Sequence, residues 1–174
     1  LAEHAGAVIF GGPMSANDTD DFIRREIDWL AVPLAERKPF LGICLGAQML
    51  ARYLGSRIYK HPEDHAEVGY YPIRPTEIGR TVCDPWPEQV YQWHREGFDL
   101  PLGADLLAEG DSFPVQAFRY GGAAFARAFD CGIDRFIRAY SFKYRVCAKT
   151  ACARTHGSRH VNACGVQRKM RAAL

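Results

Sequence analysis

The order of apolar segments in the first third of the chain constrains the fold most. AVIF at 7–10 is a short apolar run closed by GGP, which predicts a buried strand that ends in a tight loop. Apolar residues then recur at helical spacing from about Asp20, and Pro33 is expected to end or kink that helix. FLGI after Pro39 predicts a second buried strand, followed by a second helical pattern that stops at Gly55. This alternation is typical of an α/β fold with an open, mostly parallel sheet flanked by helices.

The middle of the chain has a different pattern. SRIY, VGYYPIR, RTVC, QVYQW and VQAFRY are short segments rich in β-branched and aromatic residues, separated by Pro, Gly and Asp. They predict extended strands and turns that form a smaller antiparallel strand region. Further on, IDRFIRAY spaces its apolar residues like one face of a helix.

Length and composition exclude several classes of protein. The 174 residues fit one domain with a sizeable core, and no stretch approaches the ~18 consecutive apolar residues of a membrane span. Without a secretory signal, the chain is predicted to be soluble and cytoplasmic, with its six cysteines, none in a CxxC pair, as free thiols. Leu1 is not a starting Met and leads at once into a strand, so we expect the sequence to begin inside a longer gene product.

Charge and composition change near residue 125. Residues 1–125 hold 11 Lys and Arg against 18 Asp and Glu, whereas residues 126–174 hold 11 against 2. All ten prolines precede residue 115, and four of the six cysteines follow residue 130. A basic segment can bind nucleic acid, but this one lacks a recognisable binding motif, so we expect no nucleic-acid partner. We predict a domain over 1–125 and a divergent basic tail, rich in Cys and Arg, over 126–174.

Residues 42–46 read GICLG, a GxCxG pattern at the end of the second predicted strand. It is the thiol counterpart of the GxSxG nucleophile elbow, in which a sharp strand-to-helix turn lifts the central side chain clear of the sheet. Flanking glycines leave room for the turn, and a helix N-terminus favours a thiolate at Cys44. The alternative is a buried, inert cysteine. Cys44 lies at the carboxyl end of a predicted central strand, where open α/β sheets place their sites, and this position favours the reactive thiol.

Four segments, GGPMSAND, PFLGICLGAQMLARYLG, EVGYYPI and VYQWHREGFDLP, resemble the class I glutamine amidotransferase domain, especially stand-alone proteins similar to the glutaminase part of GMP synthase. The resemblance covers about residues 5–125 and implies the flavodoxin-like fold of that family. It implies that a Cys44 thiolate attacks the side-chain amide of glutamine and forms a γ-glutamyl thioester. Ammonia leaves for an acceptor, and water releases glutamate. No cofactor is implied, and the implied partner is a synthetase or acceptor-binding subunit, since no GxxxxGKS loop is present to bind ATP.

The same resemblance assigns roles to six further residues. Backbone N–H groups of Leu45 and of the GGP loop, Gly11 and Gly12, correspond to the oxyanion hole. Substrate binding is assigned to Gln48, Trp93 and His94. Each assigned residue also has a purely structural interpretation, as a strand-ending turn, a surface helix residue, a packing tryptophan or a loop histidine.

His61 and His65 have the i, i+4 spacing of metal ligands on a helix, with two acidic residues between them. Pro62 and the polar run around it predict a loop instead. We therefore expect no metal site there.

The pattern breaks where the family supplies its base and orienting carboxylate from an FHPE motif. YGGAAFARAFDCGIDR occupies that place, and aligning Phe129 with the motif phenylalanine puts Asp130 at the histidine position and Gly132 at the glutamate position. An Asp beside a thiolate discourages its ionisation. We hypothesise that residues from about 126 onward derive from an altered reading frame or an unrelated replacement, which the coding DNA tests. Whether the chain is active is left open.

The start of the family domain is also incomplete, since its members open with a strand and a helix before the segment that matches Ala7. Losing them is expected to expose apolar sheet surface and to lower stability.

Three alternatives to a glutaminase stay open. They are a γ-glutamyl peptidase or related hydrolase on the same scaffold, a non-catalytic domain that binds glutamine or a partner, and an esterase with cysteine in the elbow.

Overall fold

The computed structural model describes residue 1 and residues 3–129 of the chain. Fourteen helices and strands lie within these residues. In chain order they are β1 (Ala7–Ile9), α1 (Asp21–Trp29), α2 (Ala31–Ala35), β2 (Phe40–Ile43), α3 (Leu45–Tyr53), β3 (Ile58–Lys60), β4 (Glu67–Pro72), β5 (Arg74–Pro75), α4 (Glu77–Val82), β6 (Gln89–His94), β7 (Glu96–Phe98), β8 (Ala104–Glu109), β9 (Val115–Tyr120) and β10 (Ala124–Arg127).

The main sheet has six strands in the order β1-β2-β10-β9-β8-β5. β1, β2 and β10 are parallel neighbours, whereas β9, β8 and β5 continue the sheet through antiparallel ladders. Four strands, β1, β2, β10 and β8, run in the same direction, which confirms the predicted open, mostly parallel sheet. The antiparallel part follows from the short links after β8 and β9, because a parallel pair needs a crossover of about a dozen residues.

Two pairs of strands lie outside the main sheet. β3 pairs with β7, and β4 pairs with β6 along the whole of both strands. Both pairs are antiparallel, which confirms the predicted smaller antiparallel region. The pair β4 and β6 is called the ribbon below.

Helices cover both faces of the main sheet. α1 and α3 pack on one face, while α4 packs on the other face against β8. Among the described residues, none of the helices is both long enough and apolar enough to cross a membrane. The first face buries Ile23, Leu30, Met49, Leu50 and Phe118, and the second buries Leu41, Ile43, Leu107, Phe125 and Phe129.

The first helical pattern divides into two helices. Asp20 is the N-cap of α1, as the sequence predicts, and the helix ends at Trp29 before a break at Leu30. Pro33 is the third residue of α2 and has no N–H to donate to the carbonyl of Trp29, the last residue of α1, so the helix breaks where the predicted effect of the proline falls. In the first turn of a helix, a backbone N–H has no intrahelical partner, so a proline there loses no hydrogen bond.

The segment RTVC is helical, so the prediction of an extended strand there is wrong. Thr76 caps α4, because its Oγ1 accepts a hydrogen bond from the Gly79 N–H at 3.0 Å. α4 also lies very close to β8, since a Cβ added at Gly79 would meet the Leu107 carbonyl oxygen at 2.0 Å. The cap and this close packing override the strand propensity of Thr and Val.

The predicted boundary at residue 125 falls inside β10. The buried strand continues past it, and Ala128 and Phe129 beyond the strand are buried as well. The boundary stays a prediction, because the helix predicted in IDRFIRAY and the rest of the tail lie outside the described residues.

Candidate functional site

The corner between β2 and α3 holds Cys44 in an unusual backbone conformation. Cys44 is the N-cap of α3 with φ 50° and ψ −105°, a region that residues with a side chain rarely adopt. Its N–H donates to the Arg127 carbonyl of β10 at 2.8 Å, and its own carbonyl accepts from the N–H groups of Ala47 and Gln48. Strand pairing on one side and the first turn of α3 on the other hold this strained residue in place.

Glycines on both sides of Cys44 are required by close backbone contacts. A Cβ added at Gly42 would lie 2.5 Å from the Gly46 carbonyl oxygen, and one added at Gly46 would lie 2.3 Å from the Ile9 carbonyl oxygen. Neither obstacle is a flexible side chain. The GxCxG pattern is therefore the sequence that allows α3 to begin directly against β1 and β2.

A cavity of about 570 Å³ opens beside this corner. Gly12, Leu45, Gln48, Trp93 and His94 meet Cys44 at the cavity, whereas Gly11 is outside its lining. Its walls come from the loop after β1, the start of α3, the end of β3 and the junction of β6 with β7. The lining residues are Gly12, Pro13, Met14, Ser15, Asn17, Asp18, Cys44, Leu45, Gln48, Lys60, Trp93, His94, Arg95 and Glu96.

Gln48 is a buried residue of α3 with one half of its amide fixed. Its Nε2 donates to the Glu96 carbonyl oxygen at 3.2 Å. Its Oε1 is buried and has no hydrogen-bond partner among the described residues. Gln48 lines the cavity, and a buried amide oxygen without a hydrogen-bond partner is unusual in a folded protein.

Trp93 and His94 are consecutive residues of the ribbon with opposite environments. The Trp93 side chain is 67% exposed at the cavity. The His94 ring is buried, with Nε2 3.0 Å from Glu67 Oε2 and Nδ1 3.1 Å from the Glu96 carbonyl oxygen. Phe113 packs against the ring, with a centroid distance of 4.8 Å. The backbone alternation of β6 thus turns His94 away from solvent and Trp93 toward it.

Sequence reasoning did not single out Ser15, Glu67 or Glu96. Ser15 Oγ donates to Glu96 Oε2 at 2.6 Å, which joins the loop after β1 to β7 across the cavity. The Ser15 N–H also donates to Asp18 Oδ2 at 2.8 Å. All of these residues lie inside the four segments that carry the family resemblance, but their pairing joins residues that are far apart in sequence.

His61 and His65 lie in the loop between β3 and β4, as predicted. Their rings touch edge to face with centroids 5.6 Å apart. In the part of the chain that the structure describes, no group of three or more His, Cys, Asp or Glu residues could hold a metal ion.

Nearby, burial raises the pKa of the Tyr59 hydroxyl, and the charge of Asp99 adds to this effect while Arg57 opposes it.

The end of β10 reaches the same corner. Arg127 bonds to the Cys44 N–H, and Phe129 belongs to the apolar cluster that includes Cys44. The chain therefore leaves β10 next to the thiol. Asp130 and Gly132, which the sequence comparison predicts at the positions of the family base and carboxylate, lie outside the described residues.

Comparison with known proteins decides the family. The family model for Glutamine amidotransferase class-I matches residues 1–120. The chain belongs to the class I glutamine amidotransferase family. This confirms the resemblance inferred from the four sequence segments.

Several amidotransferase relatives are similar to the chain over most of its length. The glutamine amidotransferase-like protein YfeJ of Salmonella typhimurium is 32% identical over 143 residues, which is 76% of this chain and 57% of YfeJ. A GMP synthase (glutamine-hydrolysing) of Neisseria meningitidis is 29% identical over 115 residues, which is 63% of this chain and 20% of that protein. The chain thus spans little more than half of one relative and a fifth of the other.

Solved amidotransferase structures share the fold. A glutamine amidotransferase from Thermotoga maritima superposes with a TM-score of 0.69 at 32% identity, covering 82% of this chain and 65% of that one. A glutamine amidotransferase from Methylobacillus flagellatus gives a TM-score of 0.68 at 26% identity, covering 79% of this chain and 56% of that one. The predicted fold class of the family is thereby confirmed.

Proposed function

We propose that this amidotransferase-family chain binds glutamine and hydrolyses its side-chain amide through Cys44, so that ammonia is released to an acceptor. The observation that carries the proposal is the strained Cys44 at the start of α3, lining one cavity together with Gly12, Leu45 and Gln48. We further propose that turnover is slow, because Asp130 and Gly132 replace the histidine and glutamate of the family motif.

The proposed reaction has two steps. The Cys44 thiolate forms a bond to the amide carbon of glutamine, the C–N bond breaks, and the leaving nitrogen takes a proton and departs as ammonia. Water then attacks the γ-glutamyl thioester, the C–S bond breaks, and glutamate leaves with the thiolate restored. The N-terminus of α3 supports the thiolate through its helix dipole.

The oxyanion of each step needs hydrogen-bond donors beside the thiol. Leu45 is the first residue of α3, so its N–H has no intrahelical acceptor. Gly12 lies against Leu45, since a Cβ added there would be 3.2 Å from Leu45 Cδ2. Backbone N–H groups of this loop and of Leu45 are the proposed donors, each typically worth about 3 to 4 kcal/mol in such a site.

The charges around the cavity suit a free amino acid. Lys60 and Arg95 supply positive charge for an α-carboxylate, and Asp18 and Glu96 supply negative charge for an α-ammonium group. The buried Gln48 Oε1 offers a further acceptor for the ammonium group. These groups favour glutamine over an uncharged amide, because they offer partners for both charges of a free amino acid.

The general base is the weakest part of the proposed site. His94 is unsuited to the role, because its ring nitrogens already contact Glu67 and the Glu96 carbonyl oxygen. A positioned base typically contributes about 10²- to 10⁴-fold to rate. The proposal therefore predicts measurable acylation of Cys44 with turnover below that of family members that carry the complete motif.

The ammonia acceptor is proposed to belong to a second chain or domain, such as a synthetase. This part rests on the GMP synthase relatives, of which the chain matches only 20% of the length. Mixing the chain with a synthetase tests it, since a partner predicts glutamine-dependent amination where the synthetase alone uses free ammonia. A cytoplasmic location is part of the proposal, because the proposed chemistry needs Cys44 as a thiol and thiols persist in reducing compartments.

Product release from glutamine, a γ-glutamyl dipeptide and asparagine tests the proposal, with glutamate measured for the first two substrates and aspartate for the third. We expect slow release from glutamine, less from the dipeptide and none from asparagine. Faster release from the dipeptide would support the γ-glutamyl peptidase alternative. Glutamine binding without any release would support a non-catalytic domain, which the replaced Asp130 and Gly132 positions favour as the second candidate function.

A further inference from the structure

Glu67 is a buried carboxylate, and its partners are unusual. It is the first residue of the ribbon strand β4, and its side chain is 2% exposed. Among the described residues, its ion-pair partner is the buried His94, with no Lys or Arg in contact. Gln116 Nε2 lies 3.4 Å from the same Oε2 atom. A buried carboxylate is strongly unfavourable unless it is paired, so this pair is expected to have a role that an apolar residue cannot fill.

The pair with Glu67 fixes which way the His94 ring donates. Nδ1 faces the Glu96 carbonyl oxygen, which can only accept, so Nδ1 must carry a proton. Nε2 lies 3.0 Å from Glu67 Oε2, which is an ion-pair contact. A carboxylate on one ring nitrogen thus holds the imidazole in the orientation that lets the other nitrogen donate to Glu96.

The Glu96 carbonyl oxygen then connects His94 to the cavity. It accepts from His94 Nδ1 at 3.1 Å and from Gln48 Nε2 at 3.2 Å. Because the amide nitrogen of Gln48 is used in this way, its oxygen is turned away from Glu96. That oxygen, Gln48 Oε1, is the buried acceptor without a partner among the described residues.

We infer that Glu67 is a positioning residue for substrate, which acts through His94 and the Glu96 carbonyl to aim Gln48 Oε1 at the amino-acid end of the ligand. Glu67 itself does not line the cavity. The inference rests on the proposed function, since it assumes that the cavity binds glutamine. In this inference, the buried ribbon side chains Glu67 and His94 contribute to substrate affinity and not to the chemical step.

Affinity labelling of Cys44 tests the inference without requiring turnover. The probe is a chloroketone analogue of glutamine, which forms a C–S bond with the thiolate and releases chloride. Its saturation kinetics give an inhibition constant, KI, and a limiting rate. Iodoacetamide is the second probe, because it alkylates the same sulfur and needs no recognition of an amino-acid end. Mass spectrometry of the labelled peptide assigns both reactions to Cys44.

We expect Glu67→Gln to raise KI for the chloroketone about tenfold, as for the loss of one oriented hydrogen bond to a charged group. The limiting rate and the iodoacetamide rate are expected to stay within about twofold of the unchanged chain. Loss of structure alone would change both probes together. A higher KI for the chloroketone with an unchanged iodoacetamide rate would therefore indicate a positioning role.

Gln92→Met is the matched control. Gln92 is as buried as Glu67 and belongs to the same network, because its Nε2 donates to Gln116 Oε1 at 2.6 Å. It has no hydrogen bond to His94 among the described residues. A melting scan is expected to show that both variants lose stability, while KI for Gln92→Met stays within about twofold of the unchanged chain.

A double variant tests whether Glu67 acts through His94. If it does, adding Glu67→Gln to His94→Gln leaves KI at the value of His94→Gln alone. Additive effects on KI would overturn the route through His94. Should Glu67→Gln fail to fold, Glu67→Asp retracts the carboxylate from Nε2 and is expected to raise KI by a smaller factor.

Two results distinguish failure of the inference from failure of the proposed function. An unchanged KI in a folded Glu67→Gln variant would overturn the positioning role alone. If the unchanged chain reacts with iodoacetamide at Cys44 but shows no saturation with the chloroketone, the cavity does not recognise glutamine, and the proposed function fails together with the inference.

Discussion

The two sides of the cavity are built by different means. On one side, the corner of β2 and α3 presents Cys44 through backbone geometry, with glycines that pack against carbonyl groups and a strained φ of 50°. On the other side, the ribbon holds its groups through the buried polar side chains of Glu67 and His94, which are backed by Gln116 of β9. In the proposed function, this difference means that the corner supplies the reactive thiol, whereas the ribbon sets how well a ligand is held.

The largest expected effect tests the corner. Cys44→Ala should lower glutamate release by at least about 10³-fold, because the covalent route is lost. The melting temperature should change little, since the replacement is small and apolar. Cys83→Ala is the control, because Cys83 lies outside the cavity lining. Release that persists in Cys44→Ala would mean that another group attacks the amide.

The second prediction restores the histidine and the glutamate of the family motif. Asp130→His combined with Gly132→Glu should raise the rate of glutamate release about 10²-fold, the typical contribution of a positioned base. The single changes are the controls and should give less than the pair, because the carboxylate orients the histidine. An unchanged rate would show that residues after β10 do not reach the thiol in the way the family motif does.

A third prediction tests packing at the corner. Gly46→Ala should lower the free energy of unfolding by about 1 to 3 kcal/mol, because the added Cβ collides with the Ile9 carbonyl oxygen. Gly122→Ala is the matched control, since an added Cβ there meets nothing within 4 Å. Urea unfolding measures both. The same experiment tests the predicted low stability of the chain through the presence of a cooperative transition.

The smallest expected effect belongs to the exposed side of the ribbon. Trp93→Ala should raise KM for glutamine by about twofold and leave kcat unchanged, because the exposed side chain is expected to add little beyond its backbone contacts. Steady-state kinetics of glutamate release measure the split. A large fall in kcat would mean that the ribbon takes part in the chemical step, which would remove the distinction between the two sides.

Local patterns predicted the corner but not the ribbon network. FLGI is β2 and VQAFRY is β9, and the GxCxG glycines are required by the backbone contacts around them. The contact between Glu67 and Gln116 joins residues 49 positions apart, and no local periodicity reports such a pair. RTVC was mistaken for a strand because the cap at Thr76 and the packing of Gly79 depend on tertiary contacts. The roles of Gly11 and Gly12 stay predictions.

Site-resolved alkylation by iodoacetamide, with and without glutamine, tests the central claim most directly. Cys44 is only 8% exposed, whereas Cys83 is more accessible, so accessibility alone predicts faster labelling of Cys83. If Cys44 is an activated thiol facing a glutamine site, it will react faster than Cys83, and glutamine will slow its labelling while asparagine will not. Faster labelling of Cys83, with no effect of glutamine on Cys44, would contradict the account.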